Sequence, residues 1–233
     1  MTAAASTTDR AVVSFSSGKD AAFAWWVAKT TARFEIVGLL TTITAPFDRV
    51  SMHGVRRSIL EAQARAAGLA LWTVPIPHPC PNEAYERAMA GAVADLRARG
   101  VSHVIFGDIF LQDVRAYRER MLEGTGLTPV FPLWGRDTGE LARAMIDAGF
   151  DARVVTVDPK AAPRSLAGRR FDEGFLAHLP PGVDPCGERG EFHTCVVDAP
   201  MFSAPLAVRP GPVVERDGFV FADLAPDGTS EAP

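Results

Sequence analysis

Five consecutive residues with phosphate-binding chemistry follow the first apolar run of the chain. They are Ser16, Ser17, Gly18, Lys19 and Asp20. Small residues let the backbone approach an anion closely, and the N–H groups at the start of a helix carry a partial positive charge. The serine hydroxyls add donors, the lysine adds a cation, and the aspartate is a ligand that Mg²⁺ accepts. The segment predicts a phosphate-binding turn, although a strand-to-helix turn with a solvated lysine has the same composition.

The spacing around this turn excludes the two best-known phosphate loops. A Walker A loop needs a glycine five residues before the Gly-Lys pair and Ser or Thr after it, and those positions hold Val13 and Asp20. The dinucleotide-binding fingerprint needs three spaced glycines, and this turn has one. The predicted anion site is therefore of another kind.

A second group of chemically active residues lies near the end of the chain, in a segment that glycines interrupt. It contains Glu188, Glu191 and His193, together with Gly187 and Gly190. The carboxylates suit Mg²⁺ or an ammonium ion, and the imidazole suits proton transfer near neutral pH. The glycines permit a positive φ and close approach of a ligand. A surface loop with solvated acidic side chains would have the same composition.

Alternating strands and helices position these residues. Strands are predicted at residues 11–15, 34–41, 69–74, 101–106 and 152–157, and helices at residues 20–31, 55–67, 82–99 and 138–148. The alternation predicts right-handed βαβ units, and so an α/β fold with a doubly wound parallel sheet and a smaller C-terminal α+β portion. Ligands of such sheets bind beyond the carboxyl ends of the strands. That edge would hold Ser14, Thr41, Thr42, Gly107 and Asp108.

Glycine, proline and asparagine mark the predicted boundaries. Gly68 is expected to end the second helix and Asn82 to cap the third, while residues 75–81 are expected to be irregular because proline lacks an N–H donor. Three regions follow: a nucleotide-binding domain at residues 1–135, an acceptor-binding domain at residues 136–225, and a frayed polar tail at residues 226–233.

The composition narrows the class of protein. The 233 residues are 47% hydrophobic and 22% charged, which suits a soluble globular chain, and the net charge of -4 disfavours nucleic acid as the main partner. No run of about 18 apolar residues occurs, and residues 1–10 lack the apolar segment of a secretory signal, so neither a membrane nor export is expected. Cys80, Cys186 and Cys195 form neither a disulfide framework nor a spaced zinc motif. A cytoplasmic location is expected.

The turn resembles the PP-loop, Ser-Gly-Gly-x-Asp-Ser, of the N-type ATP pyrophosphatases in the adenine nucleotide α-hydrolase superfamily. Ser17 replaces the first glycine of that motif, and Ala21 replaces its closing serine. Residues 106–109, 132–135 and 182–194 resemble the diphthine–ammonia ligase family, most specifically in the run Gly-Glu-x-Gly-Glu-Phe-His-Thr. The resemblance covers residues 11–202, and residues 51–56 look closer to the bacterial relatives.

The resemblance implies an ATP-dependent amidoligase. ATP would adenylylate a carboxylate and release pyrophosphate, and ammonia would then displace AMP to leave an amide. In the reaction that names the family the carboxylate belongs to diphthine, a modified histidine of translation elongation factor 2, whereas the acceptor of the bacterial relatives is unknown. The acceptor here is therefore either a protein side chain or a small metabolite.

The resemblance also implies roles for the residues above. Lys19 would neutralise charge on pyrophosphate, and Asp20 and Asp108 would hold Mg²⁺. Glu188, Glu191 and His193 would recognise the acceptor or guide ammonia. The implied nucleotide contacts are Ser14, Ser16, Ser17, Gly18, Lys19, Asp20, Thr41, Thr42, His53, Gly107 and Asp108.

Several alternatives stay open at this stage. A thiolase of the same superfamily would use Cys186 or Cys195, and a nucleotide-binding sensor would explain Ala21. Arg115 and Arg118 either meet phosphates or a partner, or are solvated on a helix. A homodimer is expected from the small, turn-rich C-terminal portion.

Overall fold

A computed structural model describes residues 8–227. This part of the chain contains ten strands, which form two sheets, and six α-helices. The first sheet contains β1 (Asp9–Ser14), β2 (Phe34–Thr44), β3 (Arg49–Val50), β4 (Ala70–Ile76), β5 (His103–Ile105) and β6 (Thr128–Val130). Its parallel strands run in the order β4-β2-β1-β5-β6, and the two-residue β3 pairs antiparallel with the end of β2. This sheet confirms the predicted α/β class.

The second sheet is antiparallel and forms the C-terminal portion. Its strands, in the order β8-β7-β10-β9, are β7 (Asp151–Val157), β8 (Phe192–Asp198), β9 (Val208–Arg216) and β10 (Phe219–Pro226). The helices of the chain are α1 (Lys19–Thr30), α2 (Arg57–Ala67), α3 (Asn82–Ala98), α4 (Gln112–Leu122), α5 (Thr138–Asp147) and α6 (Glu173–Ala177). No helix in this described part is both long and apolar enough to cross a bilayer.

Helices cover both faces of the parallel sheet, and alternate residues of β1 point to these two faces. Ala11 and Val13 pack in a cluster with α1, α2 and the second sheet, whereas Val12 packs in a cluster with α3. The larger cluster is continuous from β1 to β8 and β10. The two sheets therefore share one core.

Three local predictions differ from the structure. The third helix is capped by Pro81, and Asn82 is its first residue, with no side-chain cap hydrogen bond. Pro75 lies inside β4, at the edge of the sheet, where a missing N–H is tolerated because it leaves no partner strand unpaired. Pro226 ends β10, so the predicted tail begins later, and residues 228–233 lie outside the described residues. Gly68, by contrast, ends α2 in the left-handed region, as predicted.

Candidate active site

The turn between β1 and α1 approaches other parts of the chain very closely. Ser17 has a φ of 72°, a conformation that glycine adopts most easily. A Cβ on Gly18 would lie 2.8 Å from Cε1 of His53 and 3.2 Å from the carbonyl oxygen of Thr194. Position 18 therefore requires glycine, and the turn is packed against both the β3–α2 connection and β8.

Hydrogen bonds from distant residues hold this turn in place. The hydroxyl of Thr194 accepts from the backbone N–H of Lys19 at 3.1 Å, so it caps α1 where Gly18 has no side chain to do so. Gln63 donates to the carbonyl oxygens of Ser17 and Val196 at 3.1 and 2.7 Å. Gln63 also accepts from the hydroxyl of Ser17 at 2.7 Å. The turn, α2 and β8 thus form one hydrogen-bonded unit.

A cleft of about 470 Å³ opens at the carboxyl ends of β1 and β5. The sequence-predicted residues that line it are Ser14, Ser16, Asp20, His53, Gly107, Asp108, Glu188 and His193. A smaller cavity of about 100 Å³ continues from it, with Thr41 and Thr42 in its wall. The structure therefore brings together residues from both ends of the chain, as expected for a ligand site at this edge of a parallel sheet.

The ammonium group of Lys19 points into the protein. Lys19 is 1% exposed, and its Nζ lies 2.9 and 3.0 Å from the carboxylate oxygens of Asp20 and donates to the carbonyl oxygen of Cys186. The ring faces of Phe171 and Phe192 lie 5.3 and 5.4 Å from Nζ. In this geometry Lys19 ties Asp20 to the loop around Cys186, and its contact with pyrophosphate stays a prediction.

Burial and pairing oppose each other in this ion pair. Burial lowers the pKa of Lys19, but Asp20, Cys186 and Glu188 together outweigh burial, so the pKa of Lys19 is raised. Burial raises the pKa of Asp20, and the ammonium of Lys19 only partly offsets that rise. The carboxylate of Asp20 nevertheless remains 28% exposed on the cleft side. Asp20 is therefore held by Lys19 and presented to the cleft.

Asp108 and Arg118 form a second charged pair in the cleft. Nε of Arg118 lies 3.7 Å from Oδ2 of Asp108, and both atoms are buried without a hydrogen-bond partner among residues 8–227. Burial raises the pKa of Asp108, and the guanidinium partly counters it. Buried polar atoms without a partner are costly, so their presence on a cleft wall suits a polar ligand.

Gly107 sets how close this pair lies to the turn. A Cβ at position 107 would come within 2.7 Å of the backbone of Asp20 and Ala21. Any larger residue would push the β5 strand end away from α1. Gly107 therefore contributes through its small size, which brings Asp108 next to Asp20.

Glu188 bridges the C-terminal loop to the parallel sheet. Its Oε1 accepts from the backbone N–H of Ile109 at 2.7 Å and from that of Phe110 at 3.4 Å. Burial, together with the nearby carboxylates of Asp20 and Asp108, raises the pKa of Glu188 to about 7 against the two N–H donors. Glu188 is thus poised to gain or lose a proton near neutral pH.

Glu191 is not among the residues that line the cleft, and its role in catalysis stays a prediction. It is 4% exposed, and its carboxylate accepts from the backbone N–H groups of Asp184 and Arg189, each at 3.0 Å. Asp184 accepts in turn from the N–H of Cys186 at 2.8 Å. These two buried carboxylates fold the loop that carries Glu188.

Two histidines stack at the mouth of the cleft. The rings of His53 and His193 lie 4.5 Å apart with an angle of 29° between their planes. Nδ1 of His53 lies 3.2 Å from the carbonyl oxygen of Thr194, which can only accept, so this nitrogen carries a hydrogen. Burial lowers the pKa of His193 to about 4 and lowers the pKa of His53 well below its usual value. Both rings are neutral at neutral pH.

The remaining predicted residues are further from the ligand space. The hydroxyl of Ser17 is fully buried against Gln63, and the phosphate contact of Ser17 stays a prediction. The hydroxyl of Thr41 donates to the carbonyl oxygen of Phe15 at 2.6 Å. Thr41 therefore forms part of the wall of the small cavity, and its hydroxyl hydrogen is already bonded within the protein.

Neither C-terminal thiol is reactive in this geometry. Cys186 and Cys195 are 1% and 0% exposed, and burial raises the pKa of Cys195 to about 12 and the pKa of Cys186 further. Within residues 8–227, no group of three His, Cys, Asp or Glu side chains is arranged to hold a metal ion. Mg²⁺ commonly binds through one or two carboxylates and the phosphates of its substrate. The carboxylates of Asp20 and Asp108 suit Mg²⁺ in this way and do not form a site from protein groups alone.

Residues that sequence reasoning passed over hold the site together. Thr194, Gln63 and Asp184 each fix a loop through buried hydrogen bonds. Gln63 had a detectable signal, because it lies on the apolar face of α2 beside Ile59 and Leu60. A polar residue at such a position needs a buried partner.

The parallel sheet, the turn after β1 and the cleft at the strand ends define the class of this molecule, an α/β protein of the adenine nucleotide α-hydrolase-like fold. The chain belongs to the diphthamide synthase family. Residues 9–129 match the model for the diphthamide synthase N-terminal domain, and residues 137–219 match that for the C-terminal domain.

Relatives of established name are distant in sequence. The human (Homo sapiens) diphthine–ammonia ligase is 30% identical over 130 residues, which cover 54% of this chain and 49% of the human protein. The Bos taurus enzyme of the same name is 29% identical over 130 residues with the same coverage, and that of Schizosaccharomyces pombe is 28% identical over 102 residues, or 42% and 17% of the two chains. The chain thus spans about half the length of the mammalian relatives it matches.

Proposed function

We propose that this protein is an ATP-dependent ligase that joins ammonia to a carboxylate and releases AMP and pyrophosphate. The family membership supports this reaction class, because the named relatives are diphthine–ammonia ligases. In this proposal residues 1–135 bind ATP and residues 136–225 contribute the acceptor side of the cleft.

ATP is proposed to lie with its phosphates at the turn after β1. The glycine at position 18 and the unpaired Nε of Arg118 support an anion at this end of the cleft. The small cavity beside Thr41 and Thr42 supports the nucleoside end. Asp20 and Asp108 would hold the Mg²⁺ that accompanies ATP, and that ion would supply charge neutralisation.

The first step forms an acyl adenylate. A carboxylate oxygen of the acceptor bonds to the α-phosphorus, and the bond from that phosphorus to the bridging oxygen breaks, so pyrophosphate leaves with the electron pair. Arg118 would stabilise the negative charge that develops on the phosphates. Lys19 would act as a positioning residue, because it orients the carboxylate of Asp20.

The second step forms the amide. The nitrogen of ammonia bonds to the acyl carbon, the bond from that carbon to the AMP oxygen breaks, and one proton leaves the nitrogen. Glu188 would accept that proton, since its pKa of about 7 leaves a fraction ionised at neutral pH. Asp20, Asp108 and Glu188 together would also favour ammonium at this wall.

One observation carries the proposal: the turn after β1 and the loop with Glu188 and His193 face each other across a single cleft. The test is to incubate the protein with ATP, Mg²⁺ and ammonium, with and without carboxylic acids, and to measure AMP and pyrophosphate. Equal amounts of both products, with label from ¹⁵N-ammonium in an amide, are expected. ATP that binds but is never cleaved would instead indicate a sensor.

The buried C-terminal thiols disfavour the thiolase alternative. Replacing Cys186 or Cys195 by serine is expected to leave the turnover unchanged, which would eliminate the thiolase. The three cysteines are free, which supports a reducing compartment such as the cytoplasm. A homodimer stays a proposal, and light scattering of the purified chain tests it.

A further inference from the structure

A second cavity lies beside the cleft and has a different chemical character. It encloses about 360 Å³ between the β2–β3 connection, the end of β4 and the β9–β10 hairpin. Its walls include Phe47, Met52, His78, Arg216, Phe219 and Phe221. The proposed steps above place no part of ATP in this space.

The second cavity adjoins the cleft. Ser51, Met52 and His193 each line both spaces. A molecule seated in the second cavity would therefore present one end to the cleft at His193. The far end of the same molecule would lie against the β9–β10 hairpin.

The walls of the second cavity are aromatic and carry little net charge. The guanidinium of Arg216 lies over the rings of Phe47 and Phe221, 4.7 and 5.1 Å from their centroids. The ring of His78 lies 5.0 Å from that of Phe47, and its Nε2 lies 4.0 Å from the carboxylate of Asp217. Arg216 and Asp217 offset each other in formal charge, so the wall offers an aromatic, apolar surface to the body of a ligand.

The aromatic wall packs tightly against the backbone of the β3–α2 connection. Gly54 has a φ of 67°, and a Cβ there would lie 2.7 Å from the ring of Phe221. Met52 also lies in the left-handed region, with a φ of 65°, and is 70% exposed. A strained, exposed methionine between two cavities is typical of a ligand site rather than a packing site.

Exposed apolar side chains concentrate at this cavity. Of the large hydrophobic residues that are exposed in the described part of the chain, Phe47 and Met52 line it, and Val213 and Val214 lie on β9. Burial of such surface by a ligand is favourable.

We propose that the acceptor is a carboxylic acid with an apolar or aromatic body, which sits in the second cavity with its carboxylate at Ser51 and His193. This proposal rests on the ligase function proposed above and names its substrate class. The hydroxyl of Ser51 lies 3.1 Å from that of Thr44, so it can donate to a carboxylate while it accepts from Thr44. Small acids without a body would leave the aromatic part of this cavity unfilled.

The test uses the full chain with ¹³C-labelled methionine methyl groups and 3-phenylpropionate as the model acid. Titration is expected to shift the Met52 methyl signal, which the Met52→Leu variant identifies. Acetate lacks the aromatic body and 3-phenylpropanol lacks the carboxylate, so each should bind at least about tenfold more weakly. Phe47→Ala should weaken 3-phenylpropionate about fivefold or more, and the matched variant Val213→Ala, another exposed apolar residue, should not.

Binding of α,β-methylene-ATP to each variant separates this proposal from the proposed function. The analogue should bind wild type and Phe47→Ala equally, which also shows that the variant is folded. If 3-phenylpropionate binds no better than acetate, or if Phe47→Ala and Val213→Ala behave alike, the acceptor assignment is wrong while the nucleotide site stands. If the analogue does not bind wild type, the proposed function fails and this assignment fails with it.

Discussion

At the scale of single residues, the charged groups of this site divide into those that face the ligand space and those that support them. Asp20, Asp108, Arg118 and Glu188 line the cleft. Lys19, in contrast, is buried, and its ammonium group donates to Asp20 and to the carbonyl oxygen of Cys186. Different effects are expected when the two kinds of residue are replaced, because loss of a supporting charge mainly lowers the free energy of unfolding.

Replacing Lys19 by Met is expected to lower the free energy of unfolding by about 3 kcal/mol, because it removes one partner of a buried ion pair and leaves the other without compensation. Lys29 lies exposed in the last turn of the same helix, and Lys29→Met is the matched control, with little expected change. Urea unfolding followed by circular dichroism measures both. Equal midpoints for the two variants would show that the buried pair contributes nothing.

Glu188 gives the site a dependence on pH. Its pKa rises from 4.5 to about 7 on folding, so its contribution to stability is fully present below about pH 4.5 and is lost as the pH rises through 7. Glu188→Gln keeps an acceptor for the N–H of Ile109 and cannot ionise. The stability of this variant relative to wild type is therefore expected to increase between pH 5 and pH 8.

Urea unfolding of wild type and Glu188→Gln at both pH values checks this expectation. The control is Glu86→Gln, at an exposed position on α3. A difference between wild type and Glu188→Gln that stays constant with pH, or that falls as pH rises, would contradict the raised pKa.

At the scale of elements, the N-terminal turn depends on a strand that is distant in sequence. Thr194 of β8 accepts from the first N–H group of α1, which Gly18 cannot cap. Thr194→Val is expected to lower the free energy of unfolding by about 1 to 2 kcal/mol, because the buried N–H of Lys19 loses its acceptor. Thr194→Ser keeps the oxygen and should lose less than half as much. Chemical denaturation of both variants tests this, and equal losses would assign the effect to packing instead.

The strands β1, β2, β4 and β5 of the first sheet were predictable from local sequence pattern, whereas the short β3 and β6 and the orientation of several site residues were not. The β1–α1 turn follows from small residues between an apolar run and a helical pattern, and both are local features. Whether Lys19 faces the cleft depends on Cys186 and Phe192, more than 160 residues away along the chain. The setting of Glu191 could not be predicted for the same reason, since only the folded loop shows that its carboxylate binds backbone N–H groups.

At the scale of the whole molecule, the two sheets share a hydrophobic cluster as well as a cleft. The larger hydrophobic cluster runs without a break from β1 and α1 to β8 and β10. Phe23 and Trp26 of α1 stack on each other and meet Phe150, which precedes β7. The proposed boundary near residue 135 therefore does not divide this cluster.

A single unfolding transition is the consequence, and the chain carries its own reporters. The four tryptophans, at positions 25, 26, 72 and 134, all lie in residues 1–135, whereas the buried thiols of Cys186 and Cys195 lie in the other half. In a Cys80→Ser background, the urea dependence of tryptophan fluorescence and of thiol labelling is expected to give the same midpoint. Saturating α,β-methylene-ATP should move both midpoints upward together, because a ligand that binds only the folded state stabilises the whole cooperative unit. Thiols that become reactive at clearly lower urea than the tryptophan transition would show that the C-terminal sheet opens alone, and the cleft would then be a junction between independent domains.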